Sequence, residues 1–279
     1  MGTMLQAAGL KLGARPEELN ITDPALIESI HARYAAAGSR IINANTFGAS
    51  AHKLAGSEYT LEEIIAAGIA NCKRACALTA HWPHWMLARW GELLEPNGTL
   101  AFEDAVAEYG RIVRAGVAAG ADLVFLETFT DLYELKAALL AVKENSSLPV
   151  LASMSFEAGG RTFTGCTVES FAATARGLGA DAVGDQLLSW PQGDLPHGKA
   201  ADRGPARQLP GRSSSPTRAC PALMARATIS PPQLYAMQMK PYRELGLFAA
   251  GGCCGTTPEF IQLLNGVFAD CRPAAPTTP

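Results

Sequence analysis

The chain has 279 residues, 48% of them hydrophobic and 18% charged, with 23 lysines and arginines against 26 aspartates and glutamates. A net charge of −3 argues against a partner that is a nucleic acid or an anionic membrane, because proteins that bind them carry a basic excess. No apolar run reaches the roughly 18 residues of a membrane-spanning helix, and no signal peptide opens the sequence. Seven cysteines are too sparse for a disulfide framework. We therefore predict a cytoplasmic globular enzyme or binding domain.

One junction recurs along the chain: a helical stretch ends in glycine, and a short apolar strand follows at once. Glycine suits this place because the end of a helix often needs one residue with positive φ. The strands DLVFLE and PVLASMSF are continuously apolar, as expected where both faces are buried. The four junction glycines are Gly38, Gly120, Gly179 and Gly246.

Helix starts lie between these strands. Thr60 and Asp131 each precede a glutamate by three residues, which is typical of an N-terminal cap. Ser230 and Thr257 are each followed by proline, a residue suited to the first helical turn.

Strand and helix alternate through most of the chain, which predicts a parallel sheet in an α/β fold. Its length matches a (β/α)8 TIM barrel, and a doubly wound open sheet is the alternative. Residues 77–90 and 185–228 show neither helix nor strand periodicity, so both parts of the barrel are predicted to be disrupted. We assign residues 1–267 to the barrel domain and 268–279 to a disordered tail.

The motif GGCCGTTP contains the strongest chemical candidates, Cys253 and Cys254, which end an apolar strand just before a helix. Adjacent cysteines in a reducing compartment more often bind a metal than form a disulfide with each other. The carboxyl end of a strand is also where β/α barrels place catalytic groups. Two alternatives stay open: the pair consists of small core residues, or one cysteine is a catalytic nucleophile.

Two further residues end predicted strands. Glu127 follows the run LVFL, where its carboxylate would face the same end of the barrel and could bind a substrate ammonium group. Asn45 in NANTF has a similar position and a similar interpretation. The alternative for both residues is a place in an exposed loop.

The other cysteines and histidines have weaker patterns. Cys72 and Cys76 lie one helical turn apart, a spacing that permits a metal face but more often reflects packing. No partner pattern accompanies the rest, which are Cys166, Cys271, His31 and His52.

Several segments together resemble the homocysteine S-methyltransferase family: MGTML, PEELN, IHARYAAAGSRIINANTFGAS, FLETFTDLYELKAAL and above all GGCCGTTPEFI. The likeness is greatest to the homocysteine-binding barrel of its cobalamin-dependent members, the methionine synthases. The resemblance implies a β/α barrel that binds Zn²⁺ through three cysteines, two of them Cys253 and Cys254. It also implies that Glu127 contacts the amino group of homocysteine. The implied reaction transfers a methyl group to the homocysteine thiol, with cobalamin- and folate-binding modules elsewhere.

The chain departs from the family pattern in three places. The family's first strand, which ends in D-G-A, is missing, and its I-G-P-T-G segment is absent from residues 77–90. The N-C-S motif with the third cysteine should follow residue 184, where the chain reads DQLLSWPQ. The resemblance thus leaves two of three zinc ligands, which implies weak zinc binding and little or no activity. Cys220 is a remote substitute, and a degenerate, non-catalytic barrel is the alternative.

The genetic code offers an explanation for the departures within residues 77–90 and 185–228. Permitted codons for DQLLSWPQGDLPHGK, when read one base later, give INCSLGPKEIFPMA. A shifted frame likewise turns SSPTRACP into KPNAGLP and HWPHW into IGPTG, and each product resembles the family segment expected there. Frame errors in the coding sequence would explain these three segments, and a divergent loop is the alternative.

Sequencing the coding DNA across residues 77–90 and 185–228 tests this explanation. We expect the displaced bases to disappear, so that an N-C-S codon run follows residue 184. Recovery of the same bases from independent genomic DNA would show instead that the divergent segments are genuine.

Overall fold

The computed structural model describes residues 1–11, 13–77, 82–88, 93–157, 159–187, 221–225, 231–243 and 249–269. Before the first strand lie α1 (Gly2–Ala7), a 3-10 turn (Pro16–Glu18), α2 (Leu19–Thr22) and α3 (Pro24–Ala36). The following elements are β1 (Ile41–Asn43), α4 (Leu61–Cys76), β2 (Trp82–Ala88), α5 (Phe102–Ala118), β3 (Val124–Phe129), α6 (Leu132–Asn145), β4 (Val150–Phe156), α7 (Val168–Gly177) and β5 (Ala182–Leu187). The last are β6 (Pro221–Ala225), α8 (Pro232–Arg243), β7 (Ala250–Gly252) and α9 (Pro258–Phe268).

The strands of the described ranges form one parallel sheet of seven, in the sequential order β1 to β7. Sequential parallel order is the arrangement of a β/α barrel, and it differs from the reversed order of a doubly wound sheet. The prediction of an α/β fold with a parallel sheet is therefore confirmed. Within the described ranges β1 and β7 are the two ends of the sheet, so a closed barrel of eight strands is not seen.

Strands are present in both stretches that the sequence predicted to be disrupted. In β2, Met86 pairs with Phe125 of β3, and in β6, Leu223 pairs with Asp185 of β5. The predicted disruption therefore does not extend to residues 82–88, 185–187 and 221–225, which pair as strands, and an incomplete barrel is consistent with the described sheet. Pairing of main-chain groups places them there, although their side chains lack the expected periodicity. The remainder of the two stretches lies outside the described residues.

Two apolar clusters cover the two faces of the sheet. The larger cluster includes Val124 and Leu126 of β3 and lies between the sheet and helices α4 to α7. The smaller cluster lies on the opposite, inner face and consists of Leu123, Phe125, Leu151 and Ala182. Burial on both faces explains why the central strands read as continuous apolar runs.

The first and last helical units are joined by side chains. The Tyr34 hydroxyl donates to the Thr256 carbonyl at 2.7 Å, and the Asn265 amide donates to the Ala37 carbonyl at 2.9 Å. The Gly255 backbone N–H donates to the Thr3 hydroxyl at 2.9 Å. These bonds hold the amino-terminal segment against the loop that follows β7. They thereby place the amino-terminal segment close to Cys253 and Cys254.

Most of the predicted glycine helix ends and helix caps within the described residues are confirmed. Gly38, Gly120 and Gly179 all have positive φ, and Gly246 lies outside the described residues. Asp131 caps α6 by accepting from the Glu134 N–H, whereas Thr257 precedes α9 without a side-chain cap. None of the helices within the described ranges is long and apolar enough to cross a membrane. Ser230 and residues 270–279 lie outside the described ranges, so the predicted tail stays a prediction.

The cap of α4 provides a test of local stability. Thr60 accepts from the Glu63 N–H at 3.2 Å, and the Glu63 carboxylate accepts from the Thr60 N–H at 2.9 Å. We expect Thr60→Ala to lower the free energy of unfolding by about 1 kcal/mol, because it leaves helix N–H groups unpaired. Thr60→Ser keeps the acceptor and should unfold like the unmodified chain in urea. Equal loss in both variants would contradict the assignment of the cap.

Candidate active site

Cys253 and Cys254 directly follow β7, at the carboxyl end of the sheet. The turn that carries them is compact. The Cys253 carbonyl accepts from the backbone N–H of Thr256 at 3.2 Å and from its hydroxyl at 2.6 Å. Gly252 allows this close approach, because a Cβ at that position would lie 2.3 Å from the Thr256 Cγ2. The turn therefore fixes both cysteines on the rim of the sheet.

The two thiols lie side by side, with their Sγ atoms 3.7 Å apart. Cys253 is partly buried and Cys254 is exposed. Burial raises the pKa of the Cys253 thiol to about 12, and the nearby charges of Glu127 and Cys254 add to this. At neutral pH Cys253 is therefore protonated unless a positive charge binds beside it.

Glu127 belongs to β3 and is only 4% exposed, so the alternative of an exposed loop glutamate is wrong. Burial raises the pKa of its carboxyl group to about 7, and the Met1 amino group opposes that shift. The carboxyl group titrates near neutral pH and has a strong preference for a cationic partner.

The charges of Glu127, Cys253 and the Met1 amino group act on one another, which places all three in one neighbourhood. Strands β3 and β7 are not adjacent in the sheet, so only the tertiary fold brings these residues together. The buried carboxyl group and the paired thiols form the candidate site.

The thiol pair has the spacing of two zinc ligands. Two sulfurs that each lie about 2.3 Å from a tetrahedral Zn²⁺ are themselves about 3.8 Å apart. The observed separation of 3.7 Å matches this value. Among the residues that the structure describes, no group of three or more histidine, cysteine, aspartate or glutamate side chains is arranged to hold a metal. The described residues thus fit part of a zinc site.

Asn45 lies in the loop after β1 and is buried, so the alternative of an exposed loop is wrong here too. Its side-chain amide donates to the Pro16 carbonyl at 2.7 Å and to the Asn20 side chain at 3.1 Å. The Asn20 amide in turn donates to the Asn45 carbonyl at 2.8 Å. Nearby, the Glu17 carboxylate accepts from the Gly48 N–H at 2.7 Å. These contacts anchor the loop to the amino-terminal segment.

Reasoning from single residues missed Asn20 and Glu17, which hold the loop that carries Asn45. Both lie in the PEELN segment, which the resemblance included without assigning it a role. Neither ends a strand, so the pattern used to find Glu127 and Asn45 could not find them.

No described contact links the remaining candidates within the described ranges to the thiol pair. Cys72 and Cys76 are buried in the outer core, where the Cys72 thiol donates to the Ile42 carbonyl at 3.5 Å. This supports packing as their role. His31 is buried on α3, and burial lowers its pKa to about 3, so it is neutral. Cys166 donates locally to the Thr167 carbonyl, and His52 lies in the loop between β1 and α4. Cys220 and Cys271 lie outside the described residues.

The model of the homocysteine S-methyltransferase family matches residues 1–268. The chain belongs to this family. Among curated relatives, it is 28% identical to the methionine synthase of Mycobacterium leprae and 27% identical to that of Mycobacterium tuberculosis. Each match covers 98% of this chain but 24% of the relative, so the chain spans about a quarter of their length.

Solved structures show the same fold. The metallated form of the homocysteine methyltransferase MmuM from Escherichia coli matches with a TM-score of 0.79 and 18% identity. The match covers 95% of this chain and 93% of that one. The apo form of MmuM matches with a TM-score of 0.72 and covers 96% and 93% of the two chains, also at 18% identity. The resemblance that the sequence motifs indicated is confirmed at the level of family and fold.

The buried acid predicts a dependence of stability on pH. The carboxyl pKa of Glu127 is about 7 in the folded chain, against about 4.3 for an unfolded glutamate. The folded state therefore keeps its proton longer, and its stability falls as pH rises from about 4.3 through 7. Over this range we expect the free energy of unfolding of the unmodified chain to fall by roughly 3 kcal/mol. Glu127→Gln should not show this fall.

Urea unfolding at a series of pH values measures this effect. Glu144→Gln, which changes an exposed glutamate on α6, is the matched control and should leave the pH dependence unchanged. If the unmodified chain and Glu127→Gln show the same pH dependence, the carboxyl group is not buried as described.

Proposed function

We propose that the chain is the homocysteine-binding unit of a zinc-dependent methyltransferase, which transfers a methyl group to the homocysteine thiol and gives methionine. Cys253 and Cys254 would hold Zn²⁺, and Glu127 would bind the amino group of the substrate. The observation that carries the proposal is the thiol pair, 3.7 Å apart and next to the buried carboxyl group, in a chain of this family.

The charges of the site fit an amino-acid substrate. An ammonium group beside Glu127 would lower the carboxyl pKa and restore the carboxylate, because opposite charges favour each other's ionised form. Burial strengthens such a pair, since water screens it little. Glu127 thereby orients the substrate so that its thiol reaches the cysteine pair. We also propose Asn45 as a substrate contact. Its hydrogen bonds fix the loop from which it would reach the substrate.

The thiol pair fits a metal better than a catalytic nucleophile. A nucleophilic cysteine needs a lowered pKa, whereas the pKa of Cys253 is raised to about 12. Bound Zn²⁺ would supply the charge that deprotonates ligand thiols and would activate the substrate thiol in the same way. Zinc binding should therefore release protons and weaken at low pH. This argument disfavours Cys253 as the nucleophile of a cysteine-dependent enzyme.

The methyl donor would come from outside these residues. The chain spans about a quarter of the methionine synthases that it matches. We propose methylcobalamin as the carrier, on another domain or a separate protein, with a folate-binding module to recharge it.

The activity of the chain would depend on a third zinc ligand. Pro221 opens β6 at the amino end of the sheet, whereas Ala225 pairs with Gly252 beside the cysteines. Cys220, the remote substitute, lies outside the described residues. With two cysteines, we expect weak zinc binding and little activity, which is also what a degenerate barrel would show.

Replacing residues 185–198 with INCSLGPKEIFPMA, a segment of equal length, tests the zinc site. We expect the unmodified chain to lose zinc on dialysis and the replaced chain to retain one zinc per chain, because a third thiolate completes the protein ligands. The matched control carries serine in place of the segment's cysteine and should bind as weakly as the unmodified chain. One tightly held zinc in the unmodified chain would contradict the two-cysteine site.

Chelation and alkylation separate the alternatives. The replaced chain should lose homocysteine methylation with either treatment, and Cys253→Ser or Cys254→Ser should lose both zinc and activity. An enzyme with a cysteine nucleophile would lose activity on alkylation but resist the chelator. A degenerate barrel would be inactive before either treatment, even with zinc bound.

A further inference from the structure

The end of β3 contains an irregularity that no feature of the sequence indicates. Leu126 pairs with Ala152 of β4, and Phe129 pairs with Met154. Two residues of β3, Glu127 and Thr128, therefore lie opposite the single residue Ser153. This is a β-bulge, which is uncommon between parallel strands and often occurs beside active sites.

Beyond the bulge, the side chains of β3 occupy the face opposite to the one that regular alternation would give them. In a regular strand Phe125, Glu127 and Phe129 would share a face. Phe125 belongs to the inner cluster, whereas Phe129 packs in the outer cluster, with its ring 6.1 Å from that of Tyr109. Glu127 follows Leu126 of the outer cluster and so faces inward with Phe125. The extra residue lets Glu127 face the site while Phe129 anchors the strand in the core.

The backbone at Thr128 makes this arrangement possible. Its φ is 68°, and within the described ranges it is the one residue other than glycine with positive φ. A β-branched side chain is strained in that conformation. Such strain persists only where the surroundings enforce it.

The neighbouring contacts provide that enforcement. Phe129 is fully buried, and Asp131 is fixed because it caps α6. Between them the Thr130 carbonyl accepts from the Thr164 hydroxyl at 3.2 Å. The chain is thus held on the carboxyl side of Thr128 by three separate contacts.

We propose that Thr128 is a positioning residue, whose left-handed backbone conformation forms the bulge that keeps Glu127 facing the candidate site while Phe129 packs in the outer core. Its consequence for substrate binding rests on the proposed function, since Glu127 is the proposed contact for the homocysteine amino group. The structural part of the proposal does not depend on the substrate.

Comparison of Thr128→Gly with Thr128→Ala tests the backbone conformation. Both variants lose any contact of the threonine side chain, so the difference between them isolates the backbone. We expect the glycine variant to unfold about 2–4 °C above the alanine variant, because glycine adopts positive φ without strain. A glycine variant that melts below the alanine variant would overturn the proposal, since glycine weakens an ordinary strand.

The link to Glu127 is tested by adding Glu127→Gln to each background at pH 7.5. We expect Glu127→Gln to raise the melting temperature equally in the unmodified chain and in Thr128→Gly, where the buried carboxylate is unfavourable. In Thr128→Pro, which cannot adopt positive φ, the increase should disappear because Glu127 leaves the interior. An undiminished increase in Thr128→Pro would overturn the positioning role.

A purely structural role for Thr128 would change all melting temperatures without changing the effect of Glu127→Gln. If Thr128→Pro does not fold, the glycine and alanine variants decide the backbone part of the proposal. Neither measurement uses homocysteine or zinc, so a result that overturns the role of Thr128 leaves the proposed function intact. Failure to bind homocysteine, in turn, leaves the role of Thr128 standing.

Discussion

The parallel register of the sheet is the constraint on which the candidate site depends. Because all seven strands run in one direction, their carboxyl ends meet on one rim. Cys253 after β7 and Glu127 in β3 come from distant parts of the sequence and interact there. The same constraint separates the inner face, which carries the site, from the outer face, which packs against the helices.

Burial of two acidic groups suits the site to binding a cation, and the same burial makes the site unfavourable for stability. A buried carboxyl group with a pKa of about 7 and a thiol with a pKa of about 12 both lack sufficient positive charge nearby. Burial is costly for a charged group, and the Met1 amino group offsets this cost at Glu127 only in part, so the site favours a further cation. An ammonium group and a metal ion are the two kinds of cation that these groups would accept.

The bulge in β3 connects packing with this chemistry. Phe129 anchors the strand in the outer core, and Glu127 occupies the inner face two residues earlier. The strained backbone of Thr128 reconciles these two demands. Local strain of this kind is maintained by the rigid elements on either side. The apolar core therefore holds in place a polar arrangement that would be unfavourable by itself.

The sequence by itself determined the parallel α/β fold, the cap of Thr60, the glycine helix ends and the motif with Cys253 and Cys254. These features depend on local chemistry and on burial of both strand faces, which short segments report directly. The sequence also predicted that Glu127 faces the end of the barrel that carries Cys253. The tertiary structure alone decided that their charges interact, that Asn20 anchors Asn45 and that residues 82–88 form a strand. These features depend on main-chain pairing and on contacts between distant segments, for which no short stretch of sequence carries a signal.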